Sequence, residues 1–150
     1  MITIACSSIH FGEAREIASR LNAVGVATFL PTMAVGFDKV ASAAAWEPLV
    51  TRFFDCIGKS NILYVFAPQG TVGIAVASSI GYARGRLVRV VSSTSLADGA
   101  VACLVGDVWS PDELVANLTC DECKGRGVVW DGDSEMPGKA PCPACGGGER

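Results

Sequence analysis

Two pairs of cysteines carry the most specific chemistry in the chain. Cys120-Asp121-Glu122-Cys123, followed by Gly125 and Gly127, fits the pattern C-x-x-C-x-G-x-G. Cys142-Pro143-Ala144-Cys145 opens a second copy, in which Glu149 takes the place of the last glycine. Two residues between cysteines let both thiolates reach one ion, and the glycines let the turn wrap its N–H groups toward sulfur. Together Cys120, Cys123, Cys142 and Cys145 would supply four thiolates to a tetrahedral zinc ion, a closed structural site with no coordination position left for catalysis. The alternative is four unligated thiols. The intervening residues 124–141 are expected to form a hairpin or loop around Val128-Val129-Trp130.

A second set of groups consists of hydroxyls and glycines. Ser7 to Phe11, Ala67 to Gly73 and Ser92 to Ser95 each follow a short apolar run. Between them they offer Ser7, Ser8, Thr71, Ser92, Ser93 and Thr94, together with the backbone N–H groups of helix starts. Such groups suit phosphate or sugar oxygens. Each hydroxyl could equally cap a helix or a turn, and the convergence of three loops says more than any one serine.

Those loops need a frame that brings them together. Asn61 to Phe66 is an apolar run rich in strand formers, of the kind buried on both faces of a sheet. Pro68, Gly70 and Gly73 break regular structure after it. Ile74 to Arg84 reads as a small-residue helix and Leu87 to Val91 as the next buried strand, so the pair forms a right-handed crossover with parallel strands. Ile2 to Cys6 and Val26 to Leu30 are further strands, separated by an amphipathic helix over Gly12 to Val24 that Gly25 terminates. Trp46, Leu49, Val50, Phe53 and Ile57 line one face of another helix, in which Pro48 is tolerable only in the first turn. Thr32 to Ala41 reads as a loop, Val101 to Val105 as a fifth strand, and Ser110-Pro111-Asp112-Glu113 as the start of a helix reaching about Leu118. The alternation predicts an α/β fold: a three-layer sandwich with about five parallel strands, spanning residues 1–118. A small zinc ribbon or knuckle would occupy residues 119–150. Ligands of such sheets sit beyond the carboxyl ends of the strands.

Composition limits the function. Half of the 150 residues are hydrophobic and 18% are charged, so a core is readily built. A net charge of −3 argues against a phosphate-backbone binder, and residues 120–150 hold six acidic residues against four basic ones. Nucleic acid is therefore not an expected partner. No apolar stretch approaches the roughly 20 residues of a membrane span, and the first residues read as a strand rather than a signal peptide. Lone cysteines in apolar runs (Cys6, Cys56, Cys103) beside metal-spaced pairs suit a reducing compartment, hence a cytoplasmic protein.

Three segments carry a resemblance: ITIACSSIHFGEA at the start, FFDCIGKSNILYVF, and GTVGIAVASSIGYARGRLVRVV. Taken in order, and reaching from Met1 to about Val105, they resemble the nucleoside 2-deoxyribosyltransferase-like superfamily, which includes nucleotide N-glycoside hydrolases. The resemblance implies a flavodoxin-like, Rossmann-like fold, a nucleoside or its 5′-phosphate at the sheet rim, and possible homo-oligomers. The ligand positions it points to are Ser7, Ser8, Phe11, Gly70, Thr71, Gly73, Ser79 and Ser92. The chain also departs from the family. The catalytic glutamate, which attacks the anomeric carbon, falls on Ser79; an Asp-x-x-Asp before the third strand is here Gly58-Lys59-Ser60-Asn61; the early glycine of the first loop is Ser7. Pro68-Gln69-Gly70-Thr71 also resembles the PGG-x-GT loop of the cytokinin-activating phosphoribohydrolases, whose glutamate falls on Val76. The cysteine pairs resemble half of the cysteine-rich region of J-domain co-chaperones, although no His-Pro-Asp motif is present.

Ser79 is a poor replacement for a carboxylate. Glycosidic cleavage passes through an oxocarbenium-like state that a negative group stabilises, whereas a serine is uncharged and needs an adjacent base. The single histidine, His10, lies in another loop. Asp38, Glu47, Asp55 and Asp98 are the carboxylates that could take over, Asp38 foremost. The expectation is thus a nucleoside- or nucleotide-binding protein that has lost cleavage. The alternatives are an active deoxyribosyltransferase or N-glycosidase using a displaced carboxylate, and a zinc-stabilised interaction module.

Overall fold

The computed structural model describes residues 1–31 and 43–120, together with two strands, 128–131 and 138–141. Strand β1 (Ile2–Cys6) leads through a 3₁₀ turn (Ser8–His10) into helix α1 (Phe11–Ala23) and strand β2 (Thr28–Phe29). Helix α2 (Ala43–Gly58), strand β3 (Ile62–Phe66), helix α3 (Ile74–Gly85) and strand β4 (Arg89–Ser92) follow. A short helix α4 (Gly99–Ala102) and strand β5 (Asp107–Val108) complete the sheet, and helix α5 (Pro111–Leu118) and strands β6 (Val128–Asp131) and β7 (Gly138–Pro141) come after it. The sheet has five strands in the order β2-β1-β3-β4-β5, every neighbouring pair parallel. That is the flavodoxin-like order, with its topological switch point between β1 and β3.

The burial pattern explains the sheet. Every residue of β3 is buried, as expected of a central parallel strand covered on both faces. Successive side chains point to opposite faces. Ala5, Leu63, Val65 and Val90 join Val76, Ile80 and Ala83 of α3 and Ile57 of α2 in one core cluster. Burying each large aliphatic side chain of this kind contributes about 1.5–3 kcal/mol. Helix α1 buries Ala14, Ile17, Ala18 and Leu21 at the predicted three-and-four spacing. Gly25 has φ +81°, which the turn after α1 requires.

Four expectations need correcting. Residues 101–105 do not form a strand. The Asp98 carboxylate accepts hydrogen bonds from the N–H groups of Ala100 and Val101, which starts helix α4 there. The apolar run then packs Val101, Ala102, Leu104 and Val105 against the core, and the fifth strand is Asp107–Val108. Strand β2 is reduced to Thr28–Phe29, and β4 starts at Arg89 because Leu87 takes a left-handed conformation, φ 58°. Pro48 lies inside α2 rather than in its first turn. Its missing N–H deprives the Ala44 carbonyl of a donor, and both residues are exposed, so water can substitute. The loop expected at 32–41 lies outside the described residues.

The chain divides into two compact units, Met1–Ser110 and Pro111–Arg150. The sequence reading drew its boundary after helix α5, at Thr119. In the second unit β6 and β7 pair antiparallel, with Val128 opposite Pro141 and Asp131 opposite Gly138. Among the described residues no helix is long and apolar enough to cross a membrane.

Candidate functional site

A cavity of about 410 Å³ opens at the carboxyl end of β1. Ala5 and Cys6 of β1 form its base, and Phe29 of β2 and Pro31 line one side. Helix α2 contributes Trp46, Leu49, Val50, Arg52, Phe53 and Phe54. The first turns of α3 contribute Ala75, Val76, Ser78 and Ser79. The wall is mainly apolar and strongly aromatic. Phe29 stacks on Phe53 at 6.4 Å with an interplanar angle of 30°, Phe53 leans on Phe54 at 6.2 Å, and Phe54 meets Tyr82 edge-on at 4.7 Å. Such rings offer flat faces to a planar ligand.

The site has few polar groups. The Arg52 guanidinium lies 5.7 Å from the centroid of the Phe29 ring. The Cys6 thiol is pushed up to about 11, first by burial and then by the Glu13 carboxylate, so it is protonated and neutral at pH 7. Ser79 is 1% exposed, and its hydroxyl donates to the Ala75 carbonyl at 2.8 Å, one turn back in α3. None of the described residues lining the cavity carries a carboxylate.

Of the ligand positions expected from the resemblance, only Ser79 lines this cavity among the described residues. Ser7 precedes the 3₁₀ turn and its carbonyl accepts from the His10 N–H at 3.0 Å, while Ser8 is exposed and Phe11 begins α1. Thr71 is exposed, and Gly73 is the residue before α3. Gly70 and Ser92 have structural duties. Gly70 has φ +71°, and its carbonyl accepts from the Ala97 N–H at 2.8 Å. The Ser92 hydroxyl donates to the Thr94 carbonyl, the Thr94 hydroxyl donates to the Ala67 carbonyl at 2.6 Å, and the Ser93 hydroxyl accepts from the Ala67 N–H at 2.9 Å. The two bonds to Ala67 stitch the loop after β3 to the loop after β4. The hydroxyls of Ser79, Ser92, Ser93 and Thr94 are thus engaged with backbone.

Gly58, Lys59, Ser60 and Asn61 stand at the opposite edge of the sheet. The Asn61 N–H donates to the Met1 carbonyl, and Ser60 donates to the Cys56 carbonyl at 2.8 Å while pairing with Thr3 at 2.8 Å. Acids at these positions would not reach the cavity, so their replacement says nothing about chemistry there. Asp38 lies outside the described residues. So do Cys123, Cys142 and Cys145; Cys120 is half-buried, and among the described residues no cluster of three or more metal-ligating side chains occurs.

The sequence reading placed Trp46, Leu49, Val50, Phe53 and Ile57 on one face of a helix. Its C-terminal end is core, with Ile57 fully buried. Its N-terminal end walls the cavity, with Leu49 and Val50 37% and 41% exposed. A stripe that packs and a stripe that lines a pocket have the same spacing, and only the abundance of aromatic rings hinted at the difference.

No family model matches the chain, and no curated protein matches it. Among solved structures, a conserved protein from Enterococcus faecalis V583 is similar, with a TM-score of 0.54 and 17% identity. The match covers 76% of this chain and 93% of that one. At this identity the likeness concerns the fold.

Proposed function

We propose that the first unit binds a nucleoside or nucleotide in the aromatic cavity and does not cleave it. The observation that carries this reading is Ser79. It lines the cavity and donates its proton to the Ala75 carbonyl, and the resemblance aligns it with the superfamily's glutamate. A hydroxyl so engaged, beside a protonated thiol and with no described carboxylate lining the cavity, has neither the charge nor the base that glycosidic cleavage requires. The stacked rings of Phe29 and Phe53 suit a planar base, and the volume suits a small molecule of nucleoside size. Incubation with deoxynucleosides and their monophosphates, followed by chromatography, is expected to show binding by calorimetry and no base release above background. Turnover that Asp38→Ala abolishes would instead identify an enzyme with a displaced carboxylate.

A second reading concerns the other unit, and the hairpin register supports it. Because Val128 lies opposite Pro141, the chain enters and leaves the β6–β7 hairpin side by side. Cys123 precedes that paired end by five residues and Cys142 follows it directly. The backbone arrangement suits one zinc ion held by Cys120, Cys123, Cys142 and Cys145 as a structural staple. Elemental analysis of protein purified without chelator should find about one zinc per chain. If Cys120→Ser and Cys142→Ser leave the zinc content unchanged, the ligand assignment is wrong.

A further inference from the structure

The cavity contains one full charge among its described lining residues, and that charge is positive. Arg52 takes part in none of the described ion pairs, which join His10 to Glu13 and Arg89 to Asp107. Its guanidinium carbon instead lies over the Phe29 ring, 5.7 Å from the centroid. A guanidinium held over a ring by a cation–π contact keeps N–H groups available for a bidentate acceptor. The aromatic contact thus restricts where the side chain can lie before any ligand arrives, and a pre-positioned donor loses less freedom on binding.

Two further observations point to the same ligand chemistry. No side chain caps α3, whose first turns supply Ala75 and Ser78 to the wall, so the positive end of a twelve-residue helix is left for another acceptor. The hydroxyls of Ser93 and Thr94 are engaged with the Ala67 backbone in the other loop, and that of Ser92 with the Thr94 carbonyl in its own. Any anionic group that accompanies a ring into the cavity is therefore more readily met by Arg52 than by those hydroxyls.

We propose that Arg52 is the specificity-determining residue of this cavity, selecting flat aromatic ligands that carry a negative group such as a phosphate, sulfonate or carboxylate. This rests on the nucleotide reading only for the identity of the ring; the anion preference is a property of Arg52 itself.

Two pairs of probes separate these layers. One pair compares each of the four deoxynucleosides with its 5′-monophosphate by calorimetry. The other compares 8-anilino-1-naphthalenesulfonate with its neutral relative N-phenyl-1-naphthylamine by fluorescence titration. In the parent protein the anionic member of each pair should bind about tenfold more tightly, the scale of one charge-assisted contact near solvent. The advantage should shrink as salt is raised. Arg52→Gln should reduce it to about twofold or less while changing the affinity of the neutral member less than about threefold. Arg52→Lys should restore part of it, since charge returns without the planar fork. An anion advantage that survives Arg52→Gln, or none in the parent protein, overturns the assignment. If the naphthalene pair behaves as expected and no nucleoside or nucleotide binds, Arg52 keeps its role and the nucleotide reading fails.

Discussion

Gly70 and Ser95 approach so closely that a Cβ on Gly70 would lie 2.7 Å from the Ser95 carbonyl oxygen. That oxygen belongs to backbone and cannot swing aside. Gly70 also holds φ +71° and bonds through its N–H to the Ala67 carbonyl at 2.8 Å. The loop after β3 and the loop after β4 can meet only because this residue lacks a side chain.

Gly70→Ala should therefore cost about 2 kcal/mol or more, from left-handed strain and the clash together. The denaturant midpoint of the first unit reads it. A variant as stable as the parent would mean that the two loops are not clamped as described.

Tyr64 is fully buried, and its hydroxyl donates to the Trp109 carbonyl at 2.9 Å, tying β3 to the residue after β5. Tyr64→Phe keeps the ring and removes the bond. A loss of about 1–2 kcal/mol in chemical denaturation is expected, because the carbonyl forfeits a donor. No loss would show that water replaces the hydroxyl at little cost.

Cys6 gives a pH dependence with a definite sign. Its thiol is raised from 9.0 to about 11 in the folded protein, chiefly by burial. Between those values the unfolded chain releases a proton that the folded chain keeps, so this group's contribution to stability is present below pH 9 and lost as pH rises through 11. Thermal melts of the parent and Cys6→Ala should diverge less as pH climbs through that window. Thiol-selective labelling at pH 8 should also modify the exposed Cys103 well before Cys6. Rapid labelling of Cys6 at pH 8 would contradict the shift.

Metal removal should separate the two units. Chelation is expected to expose four reactive thiols and loosen the β6–β7 hairpin, since so short a segment cannot build its own core. The five-stranded unit has a core formed from its own strands and helices and should keep its unfolding midpoint. Loss of that midpoint together with the zinc would mean that the units fold as one.

Much of the architecture was decided by local sequence. Apolar runs at Ile2–Cys6 and Ile62–Phe66 are strands because buried β-formers leave no other comfortable arrangement, and the α1 face repeats at helical spacing. Parallel order followed from the helices between strands, since a parallel pair needs a crossover. The tertiary structure decided where that reasoning was silent. Residues 101–105 have strand composition, but the Asp98 cap starts a helix over Gly99–Ala102 that takes in the first two of them. Ser93 and Thr94 look like ligand hydroxyls until the fold places the Ala67 backbone within their reach, and Ser92 turns to the Thr94 carbonyl of its own loop. Phe29, Arg52, Phe53 and Ser79 lie on three separate elements, and no spacing along the chain announces that they share one cavity. Sequence specifies which faces must be buried, whereas a cavity exists where two buried faces fail to meet, and only packing in three dimensions determines that.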